Sequence, residues 1–158
     1  MEFKVKNAKD YQMDTQCVHA GVEKDIYGAV VTPIYQTSTF KFQDADHGAR
    51  LFKGEEEGYI YTRMRNPTVE GMEKAIACLE GGFKAIGCAS GMAASHLLFT
   101  ATTEKGDHII CSESVYGPTV KLLNEFHKKM GIEVDFVDTS DPDAVRNAVR
   151  PNTKLIYV

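Results

Sequence analysis

DHIICSESVYGPTVKLLNEFHKKMGIEVDFV, residues 107–137, reads as strand, helix and strand in one uninterrupted run. The apolar DHIIC (107–111) is too short for a helix and suits a buried strand. An amphipathic pattern then runs from Pro118 to Met130 and stops at Gly131, a residue suited to a left-handed helix end. EVDFV (133–137) is a second strand. Two strands joined through a helix pair in parallel, because the crossover returns the chain to the same edge. The unit repeats on either side. Residues 84–89 are a strand candidate followed by a small apolar helix over 91–103. Downstream, Asp141 caps a helix with Pro142 at its first position, and KLIYV (154–158) is a fourth strand. Strands alternating with helices of this length define an α/β domain with a mainly parallel sheet.

Towards the N-terminus the pattern weakens. Thr68 reads as the cap of a helix carrying Val69, Met72, Ile76 and Leu79 and ending at Gly81-Gly82. Residues 1–57 are rich in turn formers, with a short helical piece over 44–52. Such an arm buries itself poorly and is expected to wrap another body, either this domain or a second subunit. The expected division is an arm over 1–57 and the first part of a large domain over 58–158. Val158 closes an apolar strand, whereas ligands in open α/β sheets bind beyond the strands' carboxyl ends. The expectation is therefore the front part of a larger protein.

Composition excludes several classes. With 43% apolar and 25% charged residues among 158, the chain is globular and not disordered. A net charge of −4 with mixed signs offers no basic surface for nucleic acid or acidic membrane. No apolar run is long enough to span a bilayer, and the start has no signal-peptide pattern. Cys17, Cys78, Cys88 and Cys111 lack close C-x-x-C pairing and read as reduced, buried thiols of a cytoplasmic protein, with no metal site.

Three motifs carry chemistry. GYIYTRMRNPT (58–68) holds Tyr59, Tyr61, Arg63 and Arg65 at alternate positions, so an extended backbone places all four on one side. Arginine's planar fork suits a phosphate or carboxylate, although a solvated edge strand accounts equally well for the composition. In CASGMAAS (88–95) a strand runs through Ser90, Gly91 and Met92 into a helix, whose free N–H groups favour an anion. In ESVYGPT (113–119), Tyr116 follows a strand end where its ring could stack on a planar ligand.

GAVVTPIYQTSTFKF, GEEEGYIYTRMRNPT, LEGG, ASGMAA, GDHII, VYGPT and RPNTKLIYV, in this order, resemble the Cys/Met-metabolism (trans-sulfuration) family of pyridoxal-phosphate enzymes. The likeness runs from about Thr15 to Val158. It implies the PLP-dependent transferase fold of the aspartate-aminotransferase type, with pyridoxal 5'-phosphate as cofactor. Tyr61 and Arg63 match the pair that reaches the cofactor phosphate of the neighbouring subunit. Ser90, Gly91 and Met92 match the phosphate loop. Tyr116 matches the tyrosine that stacks on the pyridine ring and takes part in proton transfer. The implied partners are a small sulfur amino-acid substrate and further copies of the chain, as a homodimer paired into a homotetramer. The irregular arm would then pack on the partner subunit.

GEEEGYIYTR and the run from 131 to 158 look most like methionine γ-lyase, which eliminates thiol from the γ-carbon. Methionine γ-lyases carry a cysteine two residues after the stacking tyrosine, where this chain has Pro118. The opening MDTQCVHAG looks more like the sulfhydrylases, so O-acetylhomoserine sulfhydrylase or cystathionine γ-synthase or γ-lyase is the alternative. The aspartate that pairs with the pyridine nitrogen and the cofactor-binding lysine have no counterpart here. The 158 residues alone are therefore expected to be inactive, and a non-catalytic fragment giving only dimer and phosphate contacts is the competing reading. A Rossmann-type nucleotide binder is disfavoured, since no G-x-G-x-x-G follows the first strand.

Overall fold

The computed structural model describes residues 10–22 and 25–158, the side chain of Phe126 excepted. Residues 1–9 and 23–24 of the expected arm lie outside them. The chain forms two compact units, Met1–Gly87 and Cys88–Val158. The first holds α1 (Met13–His19), α2 (Ala45–Lys53) and α3 (Pro67–Leu79). The second holds α4 (Gly91–Thr102), β1 (His108–Ser112), α5 (Gly117–Leu122), β2 (Glu133–Val137), α6 (Pro142–Ala148) and β3 (Thr153–Tyr157).

In the second unit the strands form a parallel sheet in the order β2-β1-β3. The central strand is buried along its whole length, as its unbroken apolar reading requires. Ile109 lies opposite Val134 and Leu155, and Cys111 opposite Phe136 and Tyr157. These side chains meet Phe99 of α4 and Leu123 in one core. Burial pushes the Cys111 thiol up to about 11, which keeps it neutral and unreactive. Phe99 has no exposed surface. Its ring packs edge-on against His127 at 5.4 Å and Tyr157 at 5.0 Å.

Two expected elements change. Residues 84–89 form no strand, because they join no ladder among the described residues. The Gly87 N–H is instead taken by Glu73 Oε1 at 2.7 Å. The helix expected from Pro118 to Met130 is three pieces: α5, a π-helical turn over Leu123–His127 and a 3₁₀ turn over Lys128–Met130. Gly131 ends it in the left-handed conformation, φ 80°. His127 sits in the widened turn, fully buried, with Nε2 3.4 Å from His96 Nδ1. Burial, and then the neighbouring His96, hold its pKa below the ordinary histidine value.

In the first unit, α1 packs on α3, with Gln16 against Cys78, and the chain just after α1 comes closest at Gly21. A Cβ on Gly21 would lie 2.0 Å from the Gly71 carbonyl oxygen, at a φ of +76°. That close approach buries Gly71 and Cys78, while Val69, Met72 and Ile76 of the helical pattern stay partly exposed. Cys78 and Cys111 are buried thiols as expected. Cys17 and Cys88 are exposed, which corrects the reading of all four as buried. Among the described residues no helix is long and apolar enough to cross a membrane.

Phe99→Ala should lower the stability of the second unit by about 3–5 kcal/mol, through lost transfer energy and the cavity left behind. Urea unfolding at unchanged slope checks this, and a loss below about 1 kcal/mol would contradict the core assignment.

Candidate functional site

The GYIYTRMRNPT segment is not an extended strand. Tyr61 makes a single antiparallel bridge to Thr39, and the chain then turns. The N–H groups of Met64 and Arg65 both donate to the Tyr61 carbonyl, at 2.8 and 3.1 Å. The four Tyr and Arg side chains therefore do not share one strand face. They sort into two stacked pairs: Arg65 over the Tyr59 ring at 5.4 Å, and Arg63 over the Tyr61 ring at 5.5 Å.

The two pairs have different fates. Glu70 accepts from Arg65 Nη2 at 2.8 and 3.0 Å and from the Tyr59 hydroxyl at 3.0 Å, with Lys74 Nζ also 3.0 Å away. Burial alone would raise the Glu70 pKa. Hydrogen bonds from Arg65, Lys74 and Tyr59 outweigh it and bring the carboxyl down to about 2. Glu70 in turn holds the Arg65 guanidinium above its ordinary value. Arg65 and Tyr59 are thus committed to the fold. Arg63 makes no ion pair among the described residues beyond its stacking on Tyr61. With Tyr61, which is 39% exposed, it lines a cleft of about 690 Å³ whose walls include Tyr35, Thr37, Ser38 and Val69. A cation fork beside a hydroxyl in an open cleft suits an anion.

The N-terminus of α3 corrects the cap assignment. Asn66, not Thr68, is the N-cap, its Oδ1 accepting from the Thr68 N–H at 2.9 Å, with Pro67 at the first position. Thr68 instead ties down the 33–35 segment: its hydroxyl donates to the Pro33 carbonyl and accepts from the Tyr35 N–H, both at 2.8 Å. Sequence reasoning misses Glu70 and Asn66 as functional candidates. The signal that finds Asn66 is the proline at a helix start, which points to the preceding residue as cap.

In the second unit, Ser90 caps α4, its hydroxyl accepting from the Ala93 N–H at 3.1 Å. The N–H groups of Gly91 and Met92, in the first turn, have no partner within the helix. A Cβ on Gly91 would meet nothing within 4 Å, so packing does not account for glycine there. The open space leaves room for a ligand to approach the backbone. Tyr116 immediately precedes α5, 70% exposed. The α5 residue Thr119 donates to Met92 Sδ at 3.7 Å, which sets the starts of α4 and α5 side by side. This donor set (two N–H groups, a serine hydroxyl and an exposed aromatic ring close by) fits a phosphate ester carrying a planar ring.

A family model for Cys/Met metabolism PLP-dependent enzymes matches residues 14–158. The chain belongs to this family. It is 47% identical to an L-methionine gamma-lyase of Treponema denticola over 89% of this chain and 35% of that protein. It is 42% identical to an O-acetyl-L-homoserine sulfhydrylase of Leptospira meyeri over 94% of this chain and 34% of that one. A Campylobacter jejuni protein assigned as an O-acetylhomoserine (thiol)-lyase, solved with N'-pyridoxyl-lysine-5'-monophosphate, superimposes with a TM-score of 0.85. It is 32% identical, covering 94% of this chain and 36% of that one. The fold is therefore that of PLP-dependent enzymes, and pyridoxal 5'-phosphate is the family's cofactor. This chain spans about a third of the length of these relatives.

Because the Glu70 pKa is lowered, its contribution to stability is present above its ordinary value of 4.5 and is lost as pH falls towards about 2. Glu70→Gln should cost about 1–2 kcal/mol at neutral pH. The gap between wild type and variant should close between pH 4.5 and 2. Denaturation over that range checks it, and a gap unchanged by pH would contradict the carboxylate's role.

Proposed function

We propose that this chain is the N-terminal part of a PLP-dependent sulfur amino-acid enzyme, most like L-methionine γ-lyase. The observation that carries the reading is the sorting of the two Tyr–Arg pairs, which leaves Arg63 beside Tyr61 at an open cleft. Tyr61 and Arg63 bind the phosphate of the cofactor in a neighbouring subunit. Ser90, Gly91 and Met92 hold the phosphate of the chain's own cofactor, through two backbone N–H groups and the serine hydroxyl at the positive end of α4. Tyr116 stacks its exposed ring on the pyridine ring and moves a proton through its hydroxyl. When bound, the cofactor supplies an electron sink that labilises bonds of the amino acid.

The reaction is α,γ-elimination, giving an α-keto acid, ammonia and a thiol. Residues 1–57 serve as an arm on the partner subunit and 58–158 as the first part of the large domain. The assembly is a cytoplasmic homodimer paired into a homotetramer. The 158 residues alone turn over no substrate, having no counterpart of the family's cofactor-binding lysine.

Pro118 favours a second reading. It stands in the first turn of α5, where methionine γ-lyases carry a cysteine, and it offers no thiol. That reading is γ-replacement, as in O-acetylhomoserine sulfhydrylase or cystathionine γ-synthase. Incubating the full-length protein with methionine, and separately with O-acetylhomoserine and sulfide, decides between thiol release and homocysteine formation.

Arg63→Ala in the full-length protein should weaken pyridoxal 5'-phosphate binding about 10–100-fold, the worth of one charge-assisted hydrogen-bonded fork. Absorbance titration of the apoenzyme reads this. Unchanged affinity would contradict the phosphate role of Arg63.

A further inference from the structure

The turn that carries Arg63 is held at both ends by one buried side chain. Asn66 is only 3% exposed. Its Nδ2 donates to the Tyr35 carbonyl at 2.9 Å and to Thr62 Oγ1 at 3.0 Å, while Oδ1 caps α3. Three of the four hydrogen bonds available to the amide are thereby made. Thr62 in turn donates to the Thr37 carbonyl, and its N–H donates to the Ser38 carbonyl at 2.8 Å. Arg63 lies between Thr62 and Asn66, so the Nδ2–Oγ1 bond closes a loop from which the guanidinium projects. The same amide ties that loop to Tyr35, and Thr62 ties it to Thr37 and Ser38, all of which line the cleft.

We propose that Asn66 is a positioning residue for the phosphate site: it sets the backbone from which Arg63 meets the anion, separately from its work as a helix cap. The proposal rests on the phosphate role given to Arg63 above. An arginine fork makes two parallel hydrogen bonds only within a narrow range of distance and angle, so a loosened loop loses the bidentate contact while keeping the charge. The capping bond uses Oδ1 and the positioning bonds use Nδ2, which makes the two functions separable by substitution.

Thr62→Val keeps the size and the β-branch, leaves the Asn66 cap intact and removes the Nδ2–Oγ1 bond together with the hydroxyl's bond to the Thr37 carbonyl; Asn66→Asp, which spares that second bond, separates the two. Asn66→Asp keeps an acceptor for the Thr68 N–H and removes both Nδ2 donations. Each is made in the full-length protein beside Arg63→Ala, and the apoenzymes are titrated with pyridoxal 5'-phosphate and with pyridoxal, which lacks the phosphate. Positioning predicts that both variants lose preference for the phosphorylated form, by about tenfold for Thr62→Val, with pyridoxal binding unchanged. A purely structural role would weaken both ligands alike, and that result overturns the proposal even if Asn66→Asp fails to fold. If Arg63→Ala reduces the preference and Thr62→Val does not, Asn66 is only a cap. If Arg63→Ala itself leaves the preference intact, the phosphate reading of Arg63 fails and the proposal with it.

Discussion

One carboxylate organises the first unit. Glu70 gathers the Tyr59 hydroxyl, the Arg65 fork and the Lys74 ammonium, and is held near pKa 2 by them. Two cations and a hydroxyl around one largely buried carboxylate leave it no capacity for the second arginine of the segment. Arg63, two residues earlier, keeps its stacking on Tyr61 and has no ion pair among the described residues. A motif with two chemically similar Tyr–Arg pairs is thereby divided into a pair that builds the protein and a pair that faces a cleft.

The second unit presents a different kind of candidate anion site. Its buried central strand, with Phe99, Leu123 and Val134 packed around it, fixes a rigid sheet. α4 and α5 begin beside each other, joined by the Thr119–Met92 contact. Backbone N–H groups and an exposed tyrosine are presented there with little side-chain entropy to lose on binding. Family membership, shared with methionine gamma-lyases and O-acetylhomoserine sulfhydrylases, makes a phosphorylated pyridine the ligand against which both candidate sites are to be tested.

Much of this architecture is legible in the amino-acid sequence. EVDFV is β2 residue for residue, and Asp141-Pro142 opens α6 as the cap rules require. Ser90-Gly91-Met92 and Tyr116 fall at helix starts as their spacing suggests, because strand–helix punctuation is local. What the sequence hides is set by tertiary partners. The Tyr-x-Tyr-x-Arg-x-Arg alternation suggests a strand, but a strand needs a neighbour. Only Tyr61 finds one, at Thr39. Residues 84–89 lack a strand for the same reason. The π-helical turn at Leu123–His127 leaves no mark on an amphipathic pattern, since it inserts one residue without changing polarity. Asn66 reads as part of a turn, although a buried asparagine before Pro67 is the cap and the brace of the Arg63 loop.

The central claim is that the fold reserves Arg63, and not Arg65, for a phosphate. A crystal structure of the full-length protein with pyridoxal 5'-phosphate tests it most directly. The account predicts the Arg63 guanidinium within hydrogen-bond distance of the phosphate oxygens, with Arg65 still forked onto Glu70. Arg65 on the phosphate with Glu70 released, or a phosphate touched by neither arginine, would contradict it.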